Sequence, residues 1–140
     1  MHSWLMYWRP DTERDGLLDH AASDQLHKVE PDDEVWFVTI EDGELILFGH
    51  MLVGELMSQS RAEAVLGKGI WEAKYHIVPK GSPEPFREGS ITPIALDLRF
   101  QGGVQQLPPE YSGRNLQTMR ELSPESVEML RRVWTRPARS

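Results

Sequence analysis

The chain contains no cysteine. This absence excludes disulfides, iron–sulfur clusters, zinc sites with thiolate ligands and thiol nucleophiles. Long apolar runs are missing as well, because the richest segment, residues 44–56, is far shorter than the ~20 residues that a membrane-spanning helix needs. The first ten residues lack the basic start and apolar stretch of a signal peptide. We therefore predict a cytoplasmic protein that is not embedded in a membrane.

Motifs for catalysis and for nucleotide binding are also missing. Gly67-Lys68-Gly69 lacks the long glycine-rich turn that wraps phosphates, and no G-x-G-x-x-G pattern occurs. The acids of residues 32–34 fall in a predicted turn, where carboxylates are solvated. His20 and His27 are seven residues apart, with no third metal ligand nearby. The sequence therefore predicts no enzyme active site, no metal site and no cofactor.

What the chain does contain fits one globular domain, residues 1–140, with enough apolar residues for a core. Its net charge of −7 is unevenly distributed. Residues 1–45 hold twelve acids and three bases, whereas residues 111–140 hold six arginines and three glutamates. The first third would repel a phosphate backbone at long range, and the last segment could present a basic face or a solvated helix.

Hydrophobic spacing predicts an α+β fold, a small curved antiparallel sheet or open β-barrel with short helices and two C-terminal helices. Asp42-Gly43 predicts a hairpin, and Gly49 and Gly54 predict bends or a bulge in its return strand. Gly102-Gly103 predicts a turn, and Pro137 ends the last helix. The predicted strands are 3–8, 34–40, 44–56, 71–78 and 91–100. The predicted helices are 21–29, 60–66, 114–122 and a last one that begins with Ser123-Pro124.

Three segments carry a resemblance to a known family. The first is the aromatic strand 3–8, and the second is 22–26 followed by Val29-Glu30-Pro31-Asp32-Asp33-Glu34-Val35-Trp36-Phe37. The third is Gly49 to Leu56, after the hairpin. Together they make residues 3–100 resemble the EVE and related PUA-like domains, with the short helix and the aromatic strand entry of that family.

The resemblance implies a nucleic-acid-binding module. Such domains hold a nucleobase, often a modified one, in a concave pocket between loops and a curved sheet. In bacteria they are often fused or adjacent to nucleases. We therefore expect a nucleic acid as partner, DNA rather than RNA, and a separate nuclease as the source of any cleavage. The oligomeric state stays open.

A base held outside its stack needs aromatic faces and a few polar groups for its edge. The aromatic candidates are Trp4, Tyr7, Trp8, Trp36 and Trp71, and core packing is their alternative role. The resemblance places polar pocket residues at Ser23, Asp24 and Gln25, where helix capping is the alternative. Candidates for phosphate contact are Arg99, Arg114 and Arg120, for which surface ion pairing is the alternative.

Two functions from different classes remain open. The first is recognition of a modified or flipped base in an aromatic pocket, in the service of a nuclease-type defence system. The second is a protein-interaction or regulatory domain on the same scaffold, without nucleic-acid binding, which the acidic first third favours. An enzyme that acts on RNA or nucleotides ranks behind both.

Overall fold

The computed structural model describes residues 1–102 and 105–135, which form a mixed α+β fold. Gly103 of the predicted turn and Pro137 lie outside these residues. The strands are β1 Ser3–Tyr7, β2 Leu17–Leu18, β3 Ala21–Ser23, β4 Glu34–Glu41, β5 Glu44–Ser58, β6 Tyr75–Pro79, β7 Glu84–Pro85, β8 Gly89–Ser90 and β9 Arg120–Glu121. The helices are α1 Gln59–Leu66, α2 Gly113–Leu116 and α3 Pro124–Thr135, with 3-10 turns at Leu26–Lys28 and Thr92–Asp97. No helix in the described residues has the length and apolarity to cross a membrane.

The main sheet has the strand order β3-β6-β5-β4-β1-β9, with β8 paired to β5. Strands β2 and β7 form a separate two-stranded pair. The pairing of β1 with β4 is parallel, and the other pairs are antiparallel. The prediction of a purely antiparallel sheet is therefore wrong at this one pair. A parallel pair needs a long crossover, which residues 8–33 supply.

The hairpin of β4 and β5 turns at Asp42 and Gly43, as predicted. Both residues have positive φ, 51° and 79°, as a two-residue hairpin turn with the twist of its strands requires. The register of β5 shifts against β4 beside Gly49, and against β6 at Gly54. These irregularities confirm the predicted bends. They let β5 pair with β4 along its first part and with β6 along its last part.

Two cores lie on the two faces of the sheet. The inner core brings together side chains from both ends of the strand order, because Trp4 and Met6 of β1 share it with Ala21 of β3. The sheet must therefore curve until β1 and β3 approach each other. The outer core is covered by the C-terminal part of the chain, through Leu130 and Trp134 of α3.

Several local predictions hold. Ser58 caps α1 by accepting from the backbone N–H of Arg61, and Gly67 ends that helix at a φ of 100°. The last predicted helix is present as α3, whereas the one predicted over 114–122 is only the single turn α2, because Arg120–Glu121 pairs with β1. Ser123 caps α3, because its hydroxyl accepts from the N–H of Ser126 at 3.3 Å.

Others fail because a distant partner outweighs the local pattern. Residues 21–29 are a short strand and a 3-10 turn and not a helix, because Ala21–Ser23 pairs with β6. Residues 92–97 form a 3-10 turn and not a strand, and Pro93 could not donate to a ladder there. Trp71 lies in the loop before β6, and α2 stops at Leu116.

A cluster of charged groups ties α3 to the sheet. Glu34, almost completely buried, accepts from His50 Nε2 at 2.8 Å and from Arg131 at 2.9 Å. Glu84 bonds the other His50 nitrogen and accepts from the Trp134 indole at 2.9 Å. Burial alone would raise the pKa of Glu34, but these donors outweigh it and lower the pKa to about 2. Burial would likewise lower the pKa of His50, but the two carboxylates raise it.

The shifts of Glu34 and His50 make this charged cluster most stabilising in mildly acidic solution. Glu34 contributes stability that is lost as pH falls from about 4.5 towards 2. His50 contributes stability that is complete below 6.5 and is lost as pH rises through its elevated pKa. We expect His50→Gln to reduce the alkaline loss, in urea unfolding measured across this range. The exposed control His27→Gln should keep it, and an unchanged alkaline slope in His50→Gln would contradict the assignment.

Two glycine variants can test whether the close contact at the bend of β5 is a constraint. A Cβ at Gly54 would stand 2.9 Å from Pro79 O and 3.0 Å from Lys80 Cα, which are backbone atoms that cannot rotate away. At Gly89 the nearest atom is a Val133 methyl at 3.8 Å. We expect Gly54→Ala to lower the free energy of unfolding by about 1–3 kcal/mol and Gly89→Ala to change it little. Equal losses in urea unfolding would show that the contact at Gly54 is not a constraint.

Candidate functional site

A pocket opens where the end of β1 faces β3. Its volume is about 710 Å³, within the ~300–1,000 Å³ of ordinary ligand sites. One wall is the end of β1 and its continuation, and the opposite wall is β3 with the residue before it. The lining residues are Met6, Tyr7, Trp8, Arg9, Asp11, Thr12, Glu13, His20, Ala21, Ala22, Ser23 and Trp71.

The pocket exists because the sheet leaves a seam between these two strands. Strand β9 pairs with β1 opposite Trp4 and Leu5 and stops there. The backbone of Trp8 faces β4, since its N–H donates to Val38 O at 2.9 Å. Alternation then turns the backbone of Tyr7 towards the seam. Among the described residues β3 is likewise an end strand, paired with β6 alone. Unpaired strand edges offer N–H and C=O groups to a ligand.

Three of the five predicted aromatic residues line this pocket. Trp8 is held from behind, with its ring 5.3 Å from that of Phe37 and 5.2 Å from that of Phe48. Tyr7 is half-buried. Trp71 is 75% exposed, on the loop between α1 and β6. The pocket thus has one fixed indole and one indole whose faces are largely open to solvent.

The other two predicted aromatic residues belong to the cores. Trp36 has no exposed surface and packs between His50 and Trp134. Trp4 is buried, and its indole N–H donates to Asp33 at 3.1 Å. Neither can offer a face to a ligand here, so their prediction as stacking residues is corrected. Alternation could not reveal this, because both faces of the sheet are covered.

The polar residues at the end of β3 divide into one that lines the pocket and two that hold its surroundings. Ser23 lines it, and its hydroxyl accepts from the N–H of Gln25 at 3.1 Å. Asp24 accepts from the backbone N–H of Lys74 at 2.8 Å and so anchors the Trp71 loop. They do not cap a helix, since residues 21–23 are a strand and the 3-10 turn that follows has no side-chain cap.

Gln25 joins the two ends of the sheet. Its amide nitrogen donates to Gln117 O at 2.5 Å, and its amide oxygen accepts from the N–H of Met119 at 2.6 Å. The side chain therefore pairs like a piece of backbone with the segment that leads into β9. This links β3 to the β1 side of the seam and leaves the pocket as the part that is not bridged.

The three predicted phosphate contacts lie elsewhere. Arg99 donates to the carbonyls of Leu96 and Leu98, and Arg120 donates to Asn115 O at 3.0 Å. Arg114 is exposed on α2. None of them is among the lining residues in the part of the chain that the structure describes.

The basic residue that does line the pocket is Arg9, paired with Asp11 at 3.3 Å in an exposed position. The sequence analysis missed it. Its position directly after the aromatic strand was the available signal. Because this guanidinium is exposed, it can exchange its partner for a phosphate at little cost.

His20 was missed as well, although it lines the pocket. Its Nε2 lies 2.6 Å from Nδ1 of His76, and Nε2 of His76 bonds Oε1 of Gln59. Burial, followed by the neighbouring His76, lowers the pKa of His20. The sequence could not show this pair, because the two histidines are 56 positions apart. His27, considered beside His20 in the sequence, instead lies near Tyr75.

Residues 1–102 and 105–135 contain no group of three or more His, Cys, Asp or Glu side chains placed to hold a metal ion. No family model, curated protein or solved structure matches the chain. The site therefore has to be interpreted from its own geometry.

The anchoring role of Asp24 can be tested without a ligand. Asp24→Ala removes the acceptor of the Lys74 N–H, so we expect that amide to exchange with solvent at least about fivefold faster, the value of one ordinary hydrogen bond. Asp24→Asn keeps a side-chain oxygen and should exchange nearly as slowly as the parent protein. Equal exchange rates in the parent and in Asp24→Ala, measured by NMR, would show that the loop is held by other contacts.

Proposed function

We propose that the chain is a nucleic-acid-binding module that holds one base, flipped from a duplex or taken from a single strand, in the pocket between β1 and β3. The observation that carries the proposal is the seam itself. It combines an exposed indole, a fixed indole and an unpaired strand edge around one cavity. A planar ring with polar edges has the chemistry that matches all three.

Stacking is the main source of affinity in this proposal. Trp8 is packed from behind, so a base could use the part of the indole that faces the cavity. Trp71 would cover the base from the loop, where its exposed area of apolar surface is otherwise unfavourable in water. Stacking of one base on an aromatic side chain contributes about 1–3 kcal/mol.

The base edge would meet Ser23, His20 and the backbone of the seam. Serine can donate or accept, and a strand edge presents both kinds of group. Such a mixed set can distinguish a modified base from its parent, because one methyl group removes a donor or needs extra space. Recognition of a modified base is therefore part of the proposal.

Electrostatics favour a small footprint. Arg9 is the basic residue at the pocket, and Asp11 and Glu13 stand near it. With a net charge of −7 the chain gains little from a long phosphate backbone. Binding should therefore depend weakly on salt, with a slope that corresponds to about one or two phosphates.

The finer assignments belong to the same proposal. A PUA-like open barrel would account for the curved sheet. The hydrogen bonds of Gln25 support this fold, because they join the two end regions of the sheet. DNA is preferred to RNA, and a separate nuclease would supply any cleavage. Both rest on the resemblance to EVE domains.

The test is a fluorescence-anisotropy titration with single-stranded DNA and RNA oligonucleotides that carry modified or unmodified central bases, at low, intermediate and high salt. We expect Trp71→Ala to weaken binding at least about tenfold while the melting temperature stays unchanged, because the indole is exposed. Val65→Ala, an exposed apolar residue on α1, is the matched control.

Undetectable affinity for every oligonucleotide at low salt would end the proposal and leave the protein-interaction domain as the better explanation of the pocket. Equal affinity of Trp71→Ala and Val65→Ala would place binding outside the pocket.

A further inference from the structure

We propose that His20 reads the edge of the bound base. Its Nδ1 atom accepts a hydrogen bond from an N–H group on that edge, and Gln59, acting through His76, fixes it as an acceptor. This inference rests on the proposed function and deepens it, because it names the chemistry that the pocket selects.

The argument begins at Gln59, which lies at the start of α1. Its Oε1 accepts from the backbone N–H of Ala73 at 3.0 Å, so that atom is the amide oxygen and not the nitrogen. The amide nitrogen has its own acceptor, Glu63, at 3.2 Å. Since an amide oxygen cannot donate, the hydrogen in the bond between His76 and Gln59 belongs to Nε2 of His76.

The donor or acceptor role of each ring nitrogen then follows, from Gln59 through His76 to His20. A neutral imidazole has one donor and one acceptor nitrogen. With its hydrogen on Nε2, His76 has an acceptor at Nδ1, so Nε2 of His20 must donate across the 2.6 Å between them. The two rings are parallel within 5°, which suits a bond that runs in their common plane. His20 is left with Nδ1 as an acceptor.

The surroundings keep His20 neutral near pH 7. His76 has no exposed surface, and its partners His20 and Gln59 carry no carboxylate. Burial and the neighbouring His76 lower the pKa of His20, and Asp19, next in the chain, opposes this weakly. The other charged groups at the pocket are Arg9 and two acids of the following loop, Asp11 and Glu13.

An acceptor at this place selects for donors. The carboxylates of Asp11 and Glu13, which also line the pocket, accept as well. The ligand class is therefore a base that turns an exocyclic amine or a ring N–H towards His20. Methylation that leaves one N–H would be tolerated, and methylation that removes the last one would not.

The tautomer can be tested first, on the protein without any ligand. Long-range ¹H–¹⁵N NMR spectra should show Nδ1 of His20 unprotonated and Nε2 protonated at pH 7. Gln59→Glu keeps an oxygen acceptor but adds a negative charge, so protonation of His20 should move to higher pH. His27→Ala should leave the His20 signals unchanged. Protonation of Nδ1 at pH 7 in the parent protein would overturn the inference, whatever the protein binds.

Binding is tested with single-stranded DNA oligonucleotides that carry one central base, either normal or with its donors blocked. The panel pairs adenine with N6,N6-dimethyladenine, cytosine with N4,N4-dimethylcytosine, and thymine with N3-methylthymine. For the base that binds best, we expect blocking to cost about tenfold in affinity in the parent protein and much less in His20→Ala. In Gln59→Glu the loss of affinity on acidification should begin at higher pH than in the parent.

The outcomes separate the two proposals. No binding by any oligonucleotide, with the expected tautomer in the NMR spectra, contradicts the proposed function and with it the reading of a base by His20. Binding that depends on Trp71 but is equally sensitive to blocking in His20→Ala and in the parent protein contradicts this inference alone. Loss of the sensitivity to blocked donors in His20→Ala but not in the control His27→Ala, together with the pH shift in Gln59→Glu, supports it.

Discussion

The close approach of β5 and β6 at Gly54 is the constraint on which the rest of the structure depends. There the backbone of Pro79 and Lys80 comes so near that no side chain fits, and the register of the strand pair shifts by one residue. The shift lets one long strand leave β4 and continue with β6, which turns the sheet. Without that turn β3 would not face β1, and neither the inner core nor the pocket would form.

A curved sheet still has unpaired backbone along the seam between β1 and β3. Two neighbouring residues make different contacts beside that seam. At one end Gln25 bonds the segment before β9 with both atoms of its amide, as a neighbouring strand would. At the other end Asp24 holds the loop that carries Trp71. Asp24 and Gln25, the two residues that follow β3, thus hold the loop beside the pocket and bridge the seam.

The sequence predicted those parts of the fold that depend on nearby residues. The hairpin at Asp42-Gly43, the cap at Ser58 and the start of α3 at Ser123 follow from local chemistry and are present. Ala21–Ser23 was assigned to a helix because its partner, β6, lies more than fifty positions away. The parallel pairing of β1 was hidden for the same reason. In the site, Tyr7, Trp8, Ser23 and Trp71 came from the sequence, whereas His20 depends on His76 and could not be found in it.

The distribution of charge accounts for the buried hydrogen-bond partners behind the pocket. A basic protein can hold nucleic acid through phosphates and add base contacts afterwards. This chain has a net charge of −7 and one arginine at the pocket, so phosphate contacts could not supply most of its affinity for a nucleic acid. Under the proposed function, affinity would come from stacking and from a fixed hydrogen-bond pattern, and a fixed pattern needs buried partners that cannot rearrange. The line from Gln59 through His76 to His20 has this property, because each atom in it has one role that its neighbour determines.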